Sequence, residues 1–154
     1  MKRFMLLRHA LPETHGFNGQ DKDRPLRTEG IAQAQKMGDI IRTQNFMPDY
    51  IACSSVQRTR ETLQHLKLDD IKTEYFDHLY LPKRQTIEEH IKYELPENSN
   101  CALFIIHFPG VLDFTYRYAD HIHNFPEASL AIFDCDIETW DQFEKPELKK
   151  FITV

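Results

Sequence analysis

The stretch KRFMLLRH, residues 2–9, decides how the chain is organised. Its apolar part, residues 4–7, is typical of a short buried strand in a largely parallel sheet. The apolar run stops at Arg8 and His9, two polar residues that follow directly on the strand. In open α/β sheets, ligands bind beyond the carboxyl ends of the strands. We therefore expect a strand at residues 2–7 and a binding site that begins at Arg8.

Short β-rich runs alternate with longer helical patterns over the rest of the chain, and 154 residues suit one domain. This alternation predicts an α/β fold of three layers, with a mostly parallel central sheet flanked by helices. Thr28 is expected to cap the first helix. Residues 140–154 are expected to add an edge strand or to stay loose. Further strands are predicted at residues 50–54, 72–76, 102–106 and 129–134, and helices at residues 28–44, 56–66, 85–93 and 111–121.

Composition excludes several classes of protein. The formal net charge is -5, which argues against a general nucleic-acid coat and requires any anion site to gather positive charge locally. No apolar run approaches the roughly 20 residues that span a bilayer, and the first one is too short for a signal peptide, so we expect a cytoplasmic chain without membrane contact. The cysteines are widely spaced, and we expect them to be reduced and structural: Cys53, Cys101 and Cys135.

Residues suited to phosphate chemistry stand at the ends of three predicted strands. His107 follows the strand at 102–106 as His9 follows the first one, and Arg58 lies one helical turn beyond the strand that ends at Ser54. A position near a helix N-terminus favours an anion. Because the carboxyl ends of parallel strands share one edge of a sheet, Arg8, Arg58 and the two histidines are expected to converge.

This combination favours phosphoryl transfer, whose transition state gains mainly from positioned cations and hydrogen-bond donors. Arginine keeps its charge and donates several bonds to a phosphate, and a neutral imidazole can attack phosphorus to form a phosphohistidine. His9 is the candidate nucleophile. The alternative for any single strand-end histidine is a purely structural, hydrogen-bonded side chain.

At this point the sequence resembles the histidine phosphatase superfamily, also called phosphoglycerate mutase-like, and within it the short SixA-like phosphohistidine phosphatases. The resemblance extends from the first strand to about Phe133. Segments that match the family's motifs occur in order at residues 6–10 (LLRHA), 23–30 (DRPLRTEG), 54–62 (SSVQRTRET), 105–110 (IIHFPG) and 129–131 (SLA).

The resemblance implies a hydrolase that is phosphorylated on His9 and binds the phosphoryl group through Arg8, Arg58 and His107, without a metal or an organic cofactor. Arg24 lies in a loop that can close over the site. The implied partner is a phosphorylated substrate such as a protein that carries phosphohistidine. Two alternatives stay open: a small-molecule phosphomonoesterase, and a non-catalytic regulatory module that only binds phosphate.

The chain departs from the family pattern at several positions. Leu81 stands where longer members carry a glutamate acid, Ala10 takes the place of a glycine, and Phe108 replaces a common asparagine beside His107. Three carboxylates are candidates to replace the missing acid, and the alternative for each is a solvated surface charge: Asp77, Glu88 and Glu13. A second histidine pair, His121 and His123, has no third ligand at a suitable local spacing and is expected to be a surface pair at a helix end.

Overall fold

The computed structural model describes residues 1–154 and contains one six-stranded sheet between two layers of helices. The strands are β1 (Lys2–Arg8), β2 (Tyr50–Ser54), β3 (Lys72–Phe76), β4 (Cys101–Ile106), β5 (Leu130–Cys135) and β6 (Glu147–Ile152). The helices are α1 (Thr28–Thr43), α2 (Gln57–Leu66), α3 (Arg84–Tyr93) and α4 (Gly110–Tyr118). Three short 3₁₀ turns lie at Asp21–Asp23, Asp77–Leu79 and Trp140–Gln142. No helix is long and apolar enough to cross a membrane.

The strand order in the sheet is β3-β2-β4-β1-β5-β6. The pairs β3–β2, β2–β4 and β4–β1 are parallel, whereas β5 runs antiparallel to both β1 and β6. The carboxyl ends of β1, β2 and β4 therefore meet at one edge of the sheet. The predicted fold class, a mostly parallel sheet flanked by helices, is confirmed.

Alternating side chains of β1 pack into two separate cores, one on each face of the sheet. Phe4 and Leu6 belong to the core that α3 and α4 cover, and Met5 and Leu7 belong to the core under α1 and α2. All four side chains are fully buried, which explains why the strand is continuously apolar rather than alternating.

Several element ends differ from the prediction. Thr28 is the first helical residue of α1, and the N-cap is Arg27, whose side chain makes no capping hydrogen bond. Helix α4 ends at Tyr118, so His121 lies beyond the helix rather than at its end. The C-terminal segment takes the first of its two expected forms, the edge strand β6. The cysteines are free, and two of them, Cys53 and Cys135, are buried.

Candidate active site

The pairing of β1 with β4 brings two histidines together. Arg8 lies opposite Ile106. The residues that follow them, His9 after β1 and His107 after β4, therefore emerge at the same edge of the sheet. The backbone N–H of His9 continues the ladder by donating to the Ile106 carbonyl at 3.1 Å. The two imidazole rings lie 5.2 Å apart between centroids.

A cleft of about 550 Å³ opens above these rings. The predicted site residues that line it are Arg8, His9, Arg24, Arg58 and His107. The three suggested acids, Asp77, Glu88 and Glu13, are not among its lining residues. The structure therefore brings the expected cations and imidazoles together and leaves these carboxylates outside.

A hydrogen bond to its own neighbour defines the tautomer of His9. The Nδ1–H group donates to the Ala10 carbonyl oxygen at 2.8 Å, so Nε2 keeps its lone pair. Burial lowers the pKa of His9 to about 3, and the charges of Arg58 and Arg8 act in the same direction. The imidazole is consequently neutral near pH 7, the state in which nitrogen can act as a nucleophile.

Thr62 of α2 links the loop after His9 to the helix that carries Arg58. Its hydroxyl oxygen accepts the Ala10 N–H at 3.0 Å and its hydroxyl donates to the Arg58 carbonyl at 2.7 Å. The Ala10 side chain is fully buried, so a methyl group fits where the family pattern has glycine. The carbonyl that orients His9 is thus fixed to the same helix that carries Arg58.

The two central arginines are anchored differently. Arg8 donates to the Phe125 carbonyl at 2.7 Å, lies 3.5 Å from a Glu127 carboxylate oxygen and stacks 4.8 Å from the centroid of the Phe108 ring. Phe108 therefore supplies a wall that supports a guanidinium, in place of the family's asparagine. Arg58, on the first turn of α2, is only 3% exposed and donates to the Asp21 carbonyl at 2.8 Å and to the Asp21 carboxylate at 3.0 Å.

Ser54, at the end of β2, holds the second histidine. Its hydroxyl lies 2.8 Å from His107 Nε2, while the buried Nδ1 on the opposite side of the ring has no partner. Burial, together with the nearby His9 and Arg58, lowers the pKa of His107 to about 2. The Ser54 hydroxyl thus fixes the orientation of the His107 ring, which lines the cleft.

Asp21 is a cleft residue that the sequence analysis missed. Its carboxylate accepts hydrogen bonds from Arg58, Arg24 and the Tyr80 hydroxyl. Partial burial raises its pKa, but these three hydrogen bonds hold the pKa of Asp21 well below its usual range. Asp21 thus occupies donor groups of two arginines that line the cleft.

The suggested acids are bound elsewhere. Asp77 accepts a hydrogen bond from Ser55 at 2.5 Å, and Glu13 pairs with Arg27 at 3.5 Å. Glu88 accepts from both Arg84 and Tyr118. Leu81 does line the cleft, where it is half exposed and presents no proton donor.

The carboxylates that do line the cleft are Asp21 and Glu127, and both face arginines. The sequence signal for Glu127 was weak, because it stands in a loop before β5 with no motif of its own. Tyr80 was also missed as a site residue, although its ring lies 5.4 Å from His107 at an interplanar angle of 90°.

The family model of the histidine phosphatase superfamily (branch 1) matches residues 4–79, a stretch that contains Arg8, His9, Arg24 and Arg58. This segment has the sequence pattern of the histidine phosphatase superfamily. The resemblance to this family is thereby confirmed for the three motifs that lie in the segment, at residues 6–10, 23–30 and 54–62.

Several solved structures of phosphatases share the fold. A protein assigned as the phosphohistidine phosphatase SixA of Nakamurella multipartitia superposes with a TM-score of 0.89 at 21% identity, over 98% of this chain and 95% of that one. The protein histidine phosphatase SixA in complex with tungstate gives a TM-score of 0.83 at 16% identity, over 98% and 96% of the two chains. At these identities the likeness establishes a common fold.

Curated relatives match shorter stretches of the chain than the solved structures do. An uncharacterized chloroplastic protein of Arabidopsis thaliana is 38% identical over 66 residues, which is 43% of this chain and 30% of that protein. The chain thus spans between 30% and 55% of the length of the curated relatives that it matches.

The buried neutral state of His9 predicts an acid-sensitive fold. The pKa of His9 is about 3 in the folded chain and near 6.5 when unfolded, so below about pH 6.5 the unfolded state takes up a proton that the folded state does not. Stability is therefore lost as the pH falls from about 6 to about 4, by up to about 1.4 kcal/mol per pH unit from His9. The His9→Asn variant, whose amide keeps a donor for Ala10, is expected to lose less stability over this range.

Urea unfolding followed by Trp140 fluorescence at several pH values measures this difference. The matched control is His121→Asn, because His121 is exposed and its replacement should leave the slope unchanged. Equal slopes for His9→Asn and the wild type would contradict a buried neutral His9.

The position of Asp21 predicts a competition with phosphate. The Asp21→Asn variant removes the negative charge that faces Arg58 and Arg24, so inorganic phosphate is expected to bind about three- to tenfold more tightly, a modest gain because Asp21 is partly exposed. Isothermal titration with phosphate measures the change. Asp23→Asn, in the same 3₁₀ turn but outside the cleft lining, is the control. Weaker binding by Asp21→Asn would mean that the carboxylate orients Arg58 rather than competing for it.

Proposed function

We propose that this histidine phosphatase hydrolyses phosphohistidine in a protein, through a phosphohistidine intermediate of its own on His9. One observation carries the proposal: a buried, neutral imidazole with Nδ1–H fixed on Ala10 stands beside the guanidinium groups of Arg8 and Arg58. Neutral nitrogen nucleophiles need no base, and adjacent cations stabilise the charge of a transferring phosphoryl group.

The first chemical step is transfer of the phosphoryl group to His9. The phosphoryl oxygens displace the Asp21 carboxylate from Arg58 and accept hydrogen bonds from Arg8, Arg58 and His107. The Nε2 lone pair attacks phosphorus, the N–P bond forms, and the bond from phosphorus to the leaving group breaks with its electron pair going to that group. The positive charge that develops on the His9 ring is stabilised by its Nδ1–H bond to the Ala10 carbonyl.

The second step is hydrolysis. A water oxygen attacks phosphorus, the N–P bond breaks, and its electron pair returns to Nε2 of His9. Inorganic phosphate leaves with the water oxygen, and the water protons go to phosphate and solvent. The arginines stabilise the same distribution of charge in both steps.

The carboxylates of the cleft favour phosphohistidine as the substrate class. A sugar alkoxide leaves badly without a proton donor, whereas a phosphorylated imidazole takes a proton from solvent and departs neutral. Asp21 is held ionised by its donors and Glu127 faces Arg8, so neither is placed as a protonated acid. The SixA proteins that share the fold carry the same activity in their names, which supports this choice.

The mouth of the cleft suits a protein-borne substrate. Leu81 and Phe108 form an exposed apolar rim, 50% and 40% exposed respectively, against which the surface around a phosphorylated side chain can pack. The free cysteines support a reducing, cytoplasmic location for this activity.

Replacement of His9 tests the intermediate. His9→Asn is expected to abolish release of phosphate from a phosphohistidine protein and from an aryl phosphate, because the amide cannot form the N–P bond. Rapid acid-free quenching and intact-mass measurement should find one phosphoryl group on the wild type and none on the variant. His15→Asn, in the exposed part of the loop before α1, is the matched control and should keep full turnover. Substantial turnover by a folded His9→Asn protein would overturn the mechanism.

Leaving-group dependence tests the substrate class. We expect specificity constants, kcat/KM, for phosphohistidine protein and aryl phosphate to exceed those for sugar phosphates by about 10²-fold or more, since general acid catalysis usually supplies that much. Asp77→Asn and Glu88→Gln should change aryl phosphate rates little.

Two other outcomes would favour the alternatives. A sugar phosphate as the best substrate, with its hydrolysis abolished in Asp77→Asn or Glu88→Gln, would indicate a small-molecule phosphatase with an acid. Tight phosphate binding without turnover of any substrate would indicate a regulatory module.

A further inference from the structure

A second cluster of ligand-type side chains lies away from the cleft. His78, in the 3₁₀ turn Asp77–Leu79, meets His90 and Glu94 of α3. His78 Nε2 lies 2.9 Å from His90 Nδ1 and 3.4 Å from Glu94 Oε1, and His90 Nδ1 lies 3.6 Å from Glu94 Oε2. Two imidazole nitrogens and a carboxylate thus face one point, and none of these residues lines the cleft.

The spacing of the two α3 residues puts them on one face of the helix. His90 and Glu94 are four positions apart, so their side chains stand one above the other. His90 is fully buried, and its ring is held by near-perpendicular contacts to Phe76 and Phe104, with centroids 4.6 and 5.2 Å away. This packing keeps Nδ1 of His90 aimed at His78 and Glu94.

The distances fit a tetrahedral metal centre. Zn²⁺ binds imidazole nitrogen at about 2.0–2.1 Å and carboxylate oxygen at about 2.0–2.2 Å, so neighbouring ligand atoms of a tetrahedron lie about 3.4 Å apart. His78 Nε2 lies 3.4 Å from Oε1 of Glu94 and His90 Nδ1 lies 3.6 Å from Oε2, so each nitrogen is close to this distance from a different oxygen of the same carboxylate. The nitrogen-to-nitrogen distance of 2.9 Å must widen by about 0.5 Å.

We propose that His78, His90 and Glu94 bind a divalent transition-metal ion, Zn²⁺ before others. Imidazole ligands suit zinc and its neighbours in the first transition series, whereas Mg²⁺ and Ca²⁺ require oxygen ligands. The side chains of His78 and Glu94 are 40% and 43% exposed, which leaves the fourth position of the tetrahedron to water.

The surroundings of the cluster limit the affinity. A metal-bound histidine normally donates its second ring N–H to a partner, and loss of that partner costs about 10- to 100-fold in metal affinity. Nε2 of His90 is buried without a hydrogen-bond partner. The site is therefore expected to bind zinc more weakly than a fully supported structural zinc centre.

A bound ion would fasten the turn that leads into the cleft wall. His78 is followed by the buried Leu79 and then by Tyr80, whose ring packs on His107 and whose hydroxyl reaches Asp21. The metal would thus link α3 to the segment that supplies Tyr80 and Leu81, while taking no part in the phosphoryl chemistry.

Direct metal binding tests the proposal on untagged protein that has been treated with a chelator. Isothermal titration with Zn²⁺ at neutral pH is expected to show one saturable site, and Co²⁺ to give the visible absorption bands of tetrahedral coordination. His78→Asn and Glu94→Gln are each expected to weaken zinc binding at least about 10-fold and to remove those bands. Both replaced side chains are partly exposed, so the variants are expected to fold.

The control is the double replacement His121→Asn with His123→Asn, which removes the exposed histidine pair and should leave the titration unchanged. Zinc should also raise the melting temperature of the wild type and of this control, and not that of Glu94→Gln. The proposal is overturned if the wild type shows no saturable binding, if His78→Asn and Glu94→Gln bind as tightly as the wild type, or if the control loses the site.

Discussion

Parallel pairing between β1 and β4 sets Arg8 opposite Ile106, and the rest of the site depends on that register. The aromatic core holds it in place: Phe4 stacks on Phe133 at 5.1 Å and meets the edge of Phe114 at 5.6 Å. A slip of one residue would turn every side chain of β1 to the opposite face of the sheet. Phe4 would then leave its place against the rings of Phe133 and Phe114. Packing far from the cleft therefore determines that two histidines emerge side by side.

Charge in the cleft is balanced by the protein itself. A guanidinium as buried as that of Arg58 is costly without a partner, and Asp21 supplies one. Glu127 has the corresponding position beside Arg8. A chain of net charge -5 can therefore maintain a concentrated group of cations, because nearby carboxylates neutralise them until an anion arrives. The carboxylates that stabilise the buried arginines in the folded protein therefore also compete with an anion for the same guanidinium groups.

Much of this arrangement could be predicted from the sequence, since it follows from local pattern and strand order. Buried strands that end in Arg8-His9 and in His107 predict both the fold and the convergence of the central residues. Contacts made by an irregular loop could not be predicted in this way. Asp21 reaches Arg58 from a 3₁₀ turn 37 residues earlier in the chain, and no periodicity encodes that distance.

The other differences between the sequence prediction and the structure have local causes. Thr28 is a residue type that commonly caps helices, so the sequence predicts it as the N-cap. The backbone is already helical at Thr28, and Arg27 is the N-cap. Asp77 and Glu88 are close in sequence to the position of the absent glutamate, yet Ser55 in one case and Arg84 with Tyr118 in the other hold them outside the cleft. Spacing in a sequence predicts which residues are near a site more reliably than where their side chains point.

The two outer strands of the sheet also determine how the molecule behaves towards copies of itself. Strands β3 and β6 leave backbone donors and acceptors without a neighbour, and such edges invite pairing with a strand of another molecule. Lys72 and Glu74 on one edge and Lys149 and Lys150 on the other are exposed and charged. A second molecule would have to strip these charged side chains of water in order to extend the sheet, so self-association through either edge strand is disfavoured even at high protein concentration.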